Sequence, residues 1–125
     1  MYCIDYYKND KGKCLYDEAI IELKQNGCKS EIKKIEHSIE LLKKFGDKLL
    51  MNAEHAKKIE YDLCELRPFP NRVLYYHCRF NNKYVILHIF KKKTNKTPID
   101  EIKKGIKEIN DYERMIKNER WTFNY

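Results

Sequence analysis

Residues 2–7 (Tyr-Cys-Ile-Asp-Tyr-Tyr) are aromatic and β-branched types that stop at Lys8-Asn9-Asp10-Lys11-Gly12, the pattern of a strand and its turn. Leu15, Ala19 and Leu23 then recur every four residues, which predicts a short amphipathic helix ending near Asn26-Gly27. Ser30 is placed to cap a second helix, with Ile32, Ile35, Ile39 and Leu42 along one face. Leu41 and Phe45 widen that face, and Gly46 is a natural stop. Two such helices joined by a short loop are expected to pack antiparallel.

The period changes after residue 58. Residues 59–66 alternate with a period near two, Pro68 and Pro70 break the chain, and residues 72–80 form a second extended run that turns at Asn81-Asn82. Residues 84–90 (Tyr-Val-Ile-Leu-His-Ile-Phe) are the most apolar run, as in a strand buried on both faces. The short turns predict an antiparallel meander of three strands. Pro98 suits the first turn of a last helix, with Ile99, Ile102, Ile106 and Ile109 on one side and Lys103, Lys104 and Lys107 on the other. No pattern is assignable after about residue 117. The order β-α-α-β-β-β-α predicts an α+β fold, with helices packed on a small antiparallel sheet. A length of 125 residues predicts one domain over residues 1–125.

Composition removes several classes. With 42% hydrophobic residues spread along the chain, disorder is not expected despite 36% charged residues. No run approaches the roughly 18 apolar residues of a membrane helix, and the N-terminus lacks a signal-peptide pattern, so a cytoplasmic location is expected. The five cysteines (Cys3, Cys14, Cys28, Cys64, Cys78) are far apart, without a C-x2-C pair, and read as small buried hydrophobes with room for one reactive thiol. No metal or other cofactor is expected.

Charge sharpens the picture. The net charge is +7, but residues 67–107 hold eleven Lys/Arg against two acids, Asp100 and Glu101, for +9. The remaining residues carry −2. Such a bias suits either a polyanionic partner or a plain basic surface. The chain has no glycine-rich phosphate loop, no H-E-x-x-H and no G-x-S-x-G. His88 lies inside the apolar run, where a satisfied core histidine is the expected reading. The run Lys91-Lys92-Lys93-Thr94-Asn95-Lys96 directly follows that strand. Ammonium groups there, facing guanidinium groups of Arg67 and Arg72, would hold a phosphodiester and stabilise a pentacovalent phosphorane. Crowded cations depress the pKa of their own lysines, which would equip one as general base or acid.

The same residues carry a family resemblance. Leu63-Cys64-Glu65-Leu66-Arg67, Asn71-Arg72-Val73-Leu74-Tyr75-Tyr76 and Leu87-His88-Ile89-Phe90-Lys91-Lys92-Lys93-Thr94-Asn95-Lys96-Thr97-Pro98 resemble the RelE/ParE toxin superfamily. More narrowly, they are similar to its phage-derived HigB-like subgroup, whose pattern reads L-[aromatic]-E-L-R, then an arginine, then H-x-F-x-K-K-T-x-K-T-P. Cys64 departs from the usual aromatic. The resemblance implies a toxin of a bacterial type II toxin–antitoxin pair. It would act as a metal-independent endoribonuclease on mRNA in the ribosomal A site, with the RNA 2′-hydroxyl as nucleophile. It implies catalytic roles for Arg67, Arg72, Lys92 and Lys93, and phosphate contacts from Lys91 and Lys96. Tyr75, Tyr76 and Tyr112 are the candidates for stacking on a base. A helix-turn-helix antitoxin and an oligomeric toxin–antitoxin complex are the implied partners. Some superfamily members instead poison DNA gyrase, and a degenerate copy would only bind RNA or its antitoxin.

Overall fold

The computed structural model describes the backbone of residues 1–123 and the side chains of residues 1–118, and it contains one strand more than the pattern predicts. The elements are β1 (Cys3–Tyr6), α1 (Leu15–Gln25), α2 (Lys29–Phe45), a 3₁₀ segment (Gly46–Met51), β2 (Ala56–Glu60), β3 (Leu63–Leu66), β4 (Asn71–Cys78), β5 (Lys83–Lys91) and α3 (Ile99–Phe123). The strands form one sheet in the order β1-β5-β4-β3-β2, antiparallel except for the parallel pair of β1 and β5. The α+β expectation, three helices on a small, mostly antiparallel sheet, is what the chain adopts.

The extra strand comes from a turn hidden inside an alternating run. The alternation of residues 59–66 predicts one strand, but Tyr61 takes a left-handed φ of 52° and reverses the chain. Residues 56–60 then pair back on residues 63–66. Tyr61 is exposed there, so its aromatic character marks no buried face.

Helix α2 buries the expected stripe of Ile32, Ile35, Ile39 and Leu42, each side chain contributing about 2 kcal/mol by leaving water. Cys28 is its N-terminal flanking residue and Ser30 lies within the first turn, so Ser30 is not the cap. Phe45 remains 40% exposed and adds little to the stripe. Ile99, counted on the apolar side of the last helix, is exposed as well. Helix α3 extends well past the predicted stripe and takes in residues 118–123, which carried no pattern; side chains beyond residue 118 lie outside the described residues.

The sheet separates two apolar layers. On one side α1 and α2 pack on Cys64, Leu66, Val73, Tyr75, Tyr84 and Ile86. On the other, Ile102, Ile106, Ile109 and Tyr112 of α3 pack on Leu63, Leu74, Tyr76, Val85 and Leu87. Gly105 lets α3 lie close to the strands: a Cβ there would stand 2.9 Å from Leu63 Cδ1 and 3.2 Å from Leu74 Cδ1. Helix α3 thus starts beside the adjoining ends of β3, β4 and β5, where the basic residues gather.

Candidate functional site

A bulge in β5 decides which basic residues share a face. Leu74 pairs with His88 while Tyr75 pairs with Ile86, so Leu87 is the extra residue. Beyond it, Phe90 belongs to the α3 side and Ile89 to the α1–α2 side. Pairing continues one step past the strand, because Lys92 N–H donates to the Pro70 carbonyl at 2.8 Å. Lys92 therefore follows Phe90 onto the α3 side and Lys91 follows Ile89 to the other.

On the α3 side the centre is an acid. Glu65 is 1% exposed, and a carboxylate so buried is costly unless paired. Its Oε2 lies 3.0 Å from Arg67 Nε and 3.6 Å from Arg72 Nε. Its Oε1 accepts a hydrogen bond from the Thr97 hydroxyl at 2.8 Å. Arg67 also donates through Nη1 to the Ala53 carbonyl at 2.9 Å, and Arg72 through Nη1 to the Asn71 carbonyl at 3.2 Å. Burial draws the Arg72 pKa below its ordinary value; Glu65 opposes that shift and Arg67 adds to it.

Glu65, Arg72, Phe90, Lys92, Lys93 and Lys96 line a narrow crevice closed by the loop before α3. Four of the expected residues, Arg72, Lys92, Lys93 and Lys96, therefore share one place, and Arg67 joins them through Glu65. Lys91 does not. It lies on the opposite face, 3.6 Å from Glu31 of α2, and Glu31 also accepts a hydrogen bond from Asn71 at 2.9 Å. The alternation of a strand sends neighbours to opposite faces, so the run of three lysines is not one crowded cluster.

The three tyrosines expected to meet a base are core residues. Tyr75, Tyr76 and Tyr112 are 1%, 0% and 4% exposed, which leaves no open ring face for a nucleotide. Tyr75 packs under the α1–α2 layer, and Tyr76 meets Tyr112 edge-on at 6.1 Å under α3. The Tyr112 hydroxyl donates to Asp5 at 2.6 Å and accepts from Asn81 at 2.8 Å. The exposed aromatic beside the cations is Phe69, between the two arginines in sequence, with Lys92 Nζ 5.7 Å from its ring centre. Two neighbouring prolines and an adjacent pair of arginines mark Phe69 in the sequence as a loop aromatic.

His88 is held as a core histidine. Its Nδ1 lies 2.5 Å from Glu108 and its Nε2 3.0 Å from Glu101, both on α3. Cys64 is buried against Tyr75, and burial pushes its thiol up to about 11. Among the described residues no group of three or more His, Cys, Asp and Glu is arranged to hold a metal ion. No helix among them is long and apolar enough to cross a membrane. A cleft of about 570 Å³ lies away from the basic crevice, between the loop after β1 and α3. Asp10, Glu108 and Asp111 share its wall with Lys104 and Lys107, so it has no single sign of charge to offer a phosphate backbone.

Comparison with known proteins returns one family. The model of the phage derived protein Gp49-like family (DUF891) matches residues 28–110, from the start of α2 into α3, about two thirds of the chain. The match spans Glu65, both arginines, Phe69 and the whole lysine loop. No curated protein matches the chain.

Proposed function

The chain belongs to the phage-derived Gp49-like family, a RelE/ParE-like toxin family of toxin–antitoxin systems, and from that premise we propose that it is a metal-independent, ribosome-dependent mRNA endoribonuclease. The observation that carries this reading is the meeting of Arg67 and Arg72 on Glu65 beside a crevice lined by Lys92, Lys93 and Lys96. Two fixed guanidiniums suit the non-bridging oxygens of one phosphodiester, and the ammonium groups suit the additional charge of a phosphorane.

In the proposed reaction Lys92 or Lys93 takes the proton of the 2′-hydroxyl of an A-site nucleotide. The 2′-oxygen bonds to the adjacent phosphorus, the bond from phosphorus to O5′ breaks, and the leaving O5′ accepts a proton from a second lysine. The products are a 2′,3′-cyclic phosphate and a 5′-hydroxyl. Phe69 offers the exposed ring on which a base next to the scissile phosphate stacks. A helix-turn-helix antitoxin is the proposed partner, in an oligomeric complex that withholds this site from mRNA, and the toxin's place of action is the cytoplasm.

Primer extension on translated mRNA after induction tests the proposal. New stops inside coding regions, abolished in an Arg72→Ala protein, are expected. Intact transcripts during growth arrest, together with inhibited supercoiling, would replace it with gyrase poisoning.

A further inference from the structure

Glu65 lies at the centre of the basic site, and neither the charge count nor the proposed reaction gives it a task. It is 1% exposed and joins three separate segments: Arg67 just past β3, Arg72 in β4 and Thr97 in the loop before α3. A buried ion pair is a poor device for stability alone, since well-packed apolar residues of like volume do as well or better. What the carboxylate supplies is direction. Both arginines approach it by Nε, and each uses Nη1 on a backbone carbonyl. Among the described residues, Nη2 then has no hydrogen bond on either guanidinium; Arg67 is held by an Nε hydrogen bond at 3.0 Å and Arg72 by an Nε ion pair at 3.6 Å.

We propose that Glu65 is the positioning residue of the arginine pair, fixing both guanidiniums by their Nε edges so that their Nη2 groups are left for one phosphodiester. This rests on the nuclease reading for its substrate, though not for its geometry. The charges agree with it: two guanidiniums and one carboxylate sum to a single positive charge, the match for a phosphodiester monoanion. The lysines of the loop then meet the charge that grows in the transition state. Glu65 also ties that loop to the arginines through Thr97, so the two halves of the site move together.

The test compares wild-type protein with Glu65→Gln, which keeps the shape and removes the charge. Two readouts are used. Single-turnover cleavage of ribosome-bound mRNA should slow by about tenfold or more, the effect of one misdirected charge-assisted hydrogen bond. Binding of an oligonucleotide made uncleavable by 2′-O-methylation should be unchanged or tighter, because the site has become more positive. A purely structural role would lower rate and binding together, in step with the unfolded fraction, and that result overturns the proposal. The second readout needs no activity. The Nε–H resonance of Arg67, which donates to Glu65, should be dispersed and slow to exchange in the wild type and should collapse toward free arginine in Glu65→Gln. An unchanged Arg67 Nε–H signal in folded Glu65→Gln overturns the proposal as well. If wild-type protein cuts no RNA, the nuclease reading fails while this second readout still decides the role of Glu65. If Glu65→Gln does not fold, Glu65→Asp keeps the charge and withdraws it by one methylene. That variant should fold and cut slowly, and full-rate cleavage by it refutes the inference.

Discussion

Lys92 Nζ stands 5.7 Å from the ring centre of Phe69, which brings the one exposed aromatic of the 67–72 loop against the basic crevice. A ring that is 63% exposed beside an ammonium group presents both a stacking surface and a phosphate contact. Phe69→Ala should weaken single-stranded RNA binding by about 1–3 kcal/mol, measured by titrating an uncleavable oligonucleotide. Because Phe69 is not part of the core, its thermal midpoint should stay near that of the wild type. Tyr76→Phe, at a buried ring, should leave RNA affinity unchanged.

Arg72 combines a functional and a structural task. It is 8% exposed and shares Glu65 with Arg67. Arg72→Ala should slow cleavage by an amount equal to about 2.7–4 kcal/mol if it acts as a lost oxyanion donor. It should also lower stability, by less than the roughly 3–5 kcal/mol of a wholly orphaned buried ion, since Glu65 keeps Arg67. Urea unfolding beside single-turnover kinetics separates the two effects.

Glu31 predicts a pH dependence on the opposite face. The hydrogen bond from Asn71, then one from Cys28, and the nearby Lys91 hold its carboxyl below its ordinary value. A depressed folded-state pKa means that the stabilisation is present above the ordinary carboxyl value and is lost as pH falls through the folded value. Stability should therefore decline with acidification below about pH 4.3, and Glu31→Gln should flatten that part of the curve. Denaturant midpoints at a series of pH values provide the check. An unaltered slope in the variant would show that the link from α2 to β4 does not titrate.

Much of the architecture was legible because burial and period agree. The stripe of α2 and the apolar run of β5 each face a layer that their spacing alone foretells. The turn at Tyr61 was not legible, because Ile59, Tyr61 and Leu63 keep a period of two straight through a reversal. Within the site, Arg67, Arg72, Lys92, Lys93 and Lys96 follow from the motif and do converge, directly or through Glu65. Lys91 follows from the same motif and does not, a consequence of strand alternation that its position beside Phe90 already implies. Glu65 escaped a charge count that begins at residue 67, although an acid between Leu63 and Leu66 in a strand must find a cation. The burial of Tyr75 and Tyr76 in β4 is not legible, because an aromatic near an arginine in sequence reads the same in a core as at a surface. Only the layer over each face decides it.

The end group of the cleaved RNA tests the central claim most directly. Attack by the 2′-hydroxyl, assisted by the lysines and arginines around Glu65, leaves a 5′-hydroxyl on the downstream fragment. Its upstream partner ends in a 2′,3′-cyclic phosphate or 3′-phosphate. Fragments from ribosome-bound mRNA, treated with polynucleotide kinase before and after phosphatase, report these ends without any mutant. Downstream fragments labelled without prior phosphatase are the predicted result. A 5′-phosphate on those fragments would contradict the lysine–arginine mechanism and point to activated water as the nucleophile.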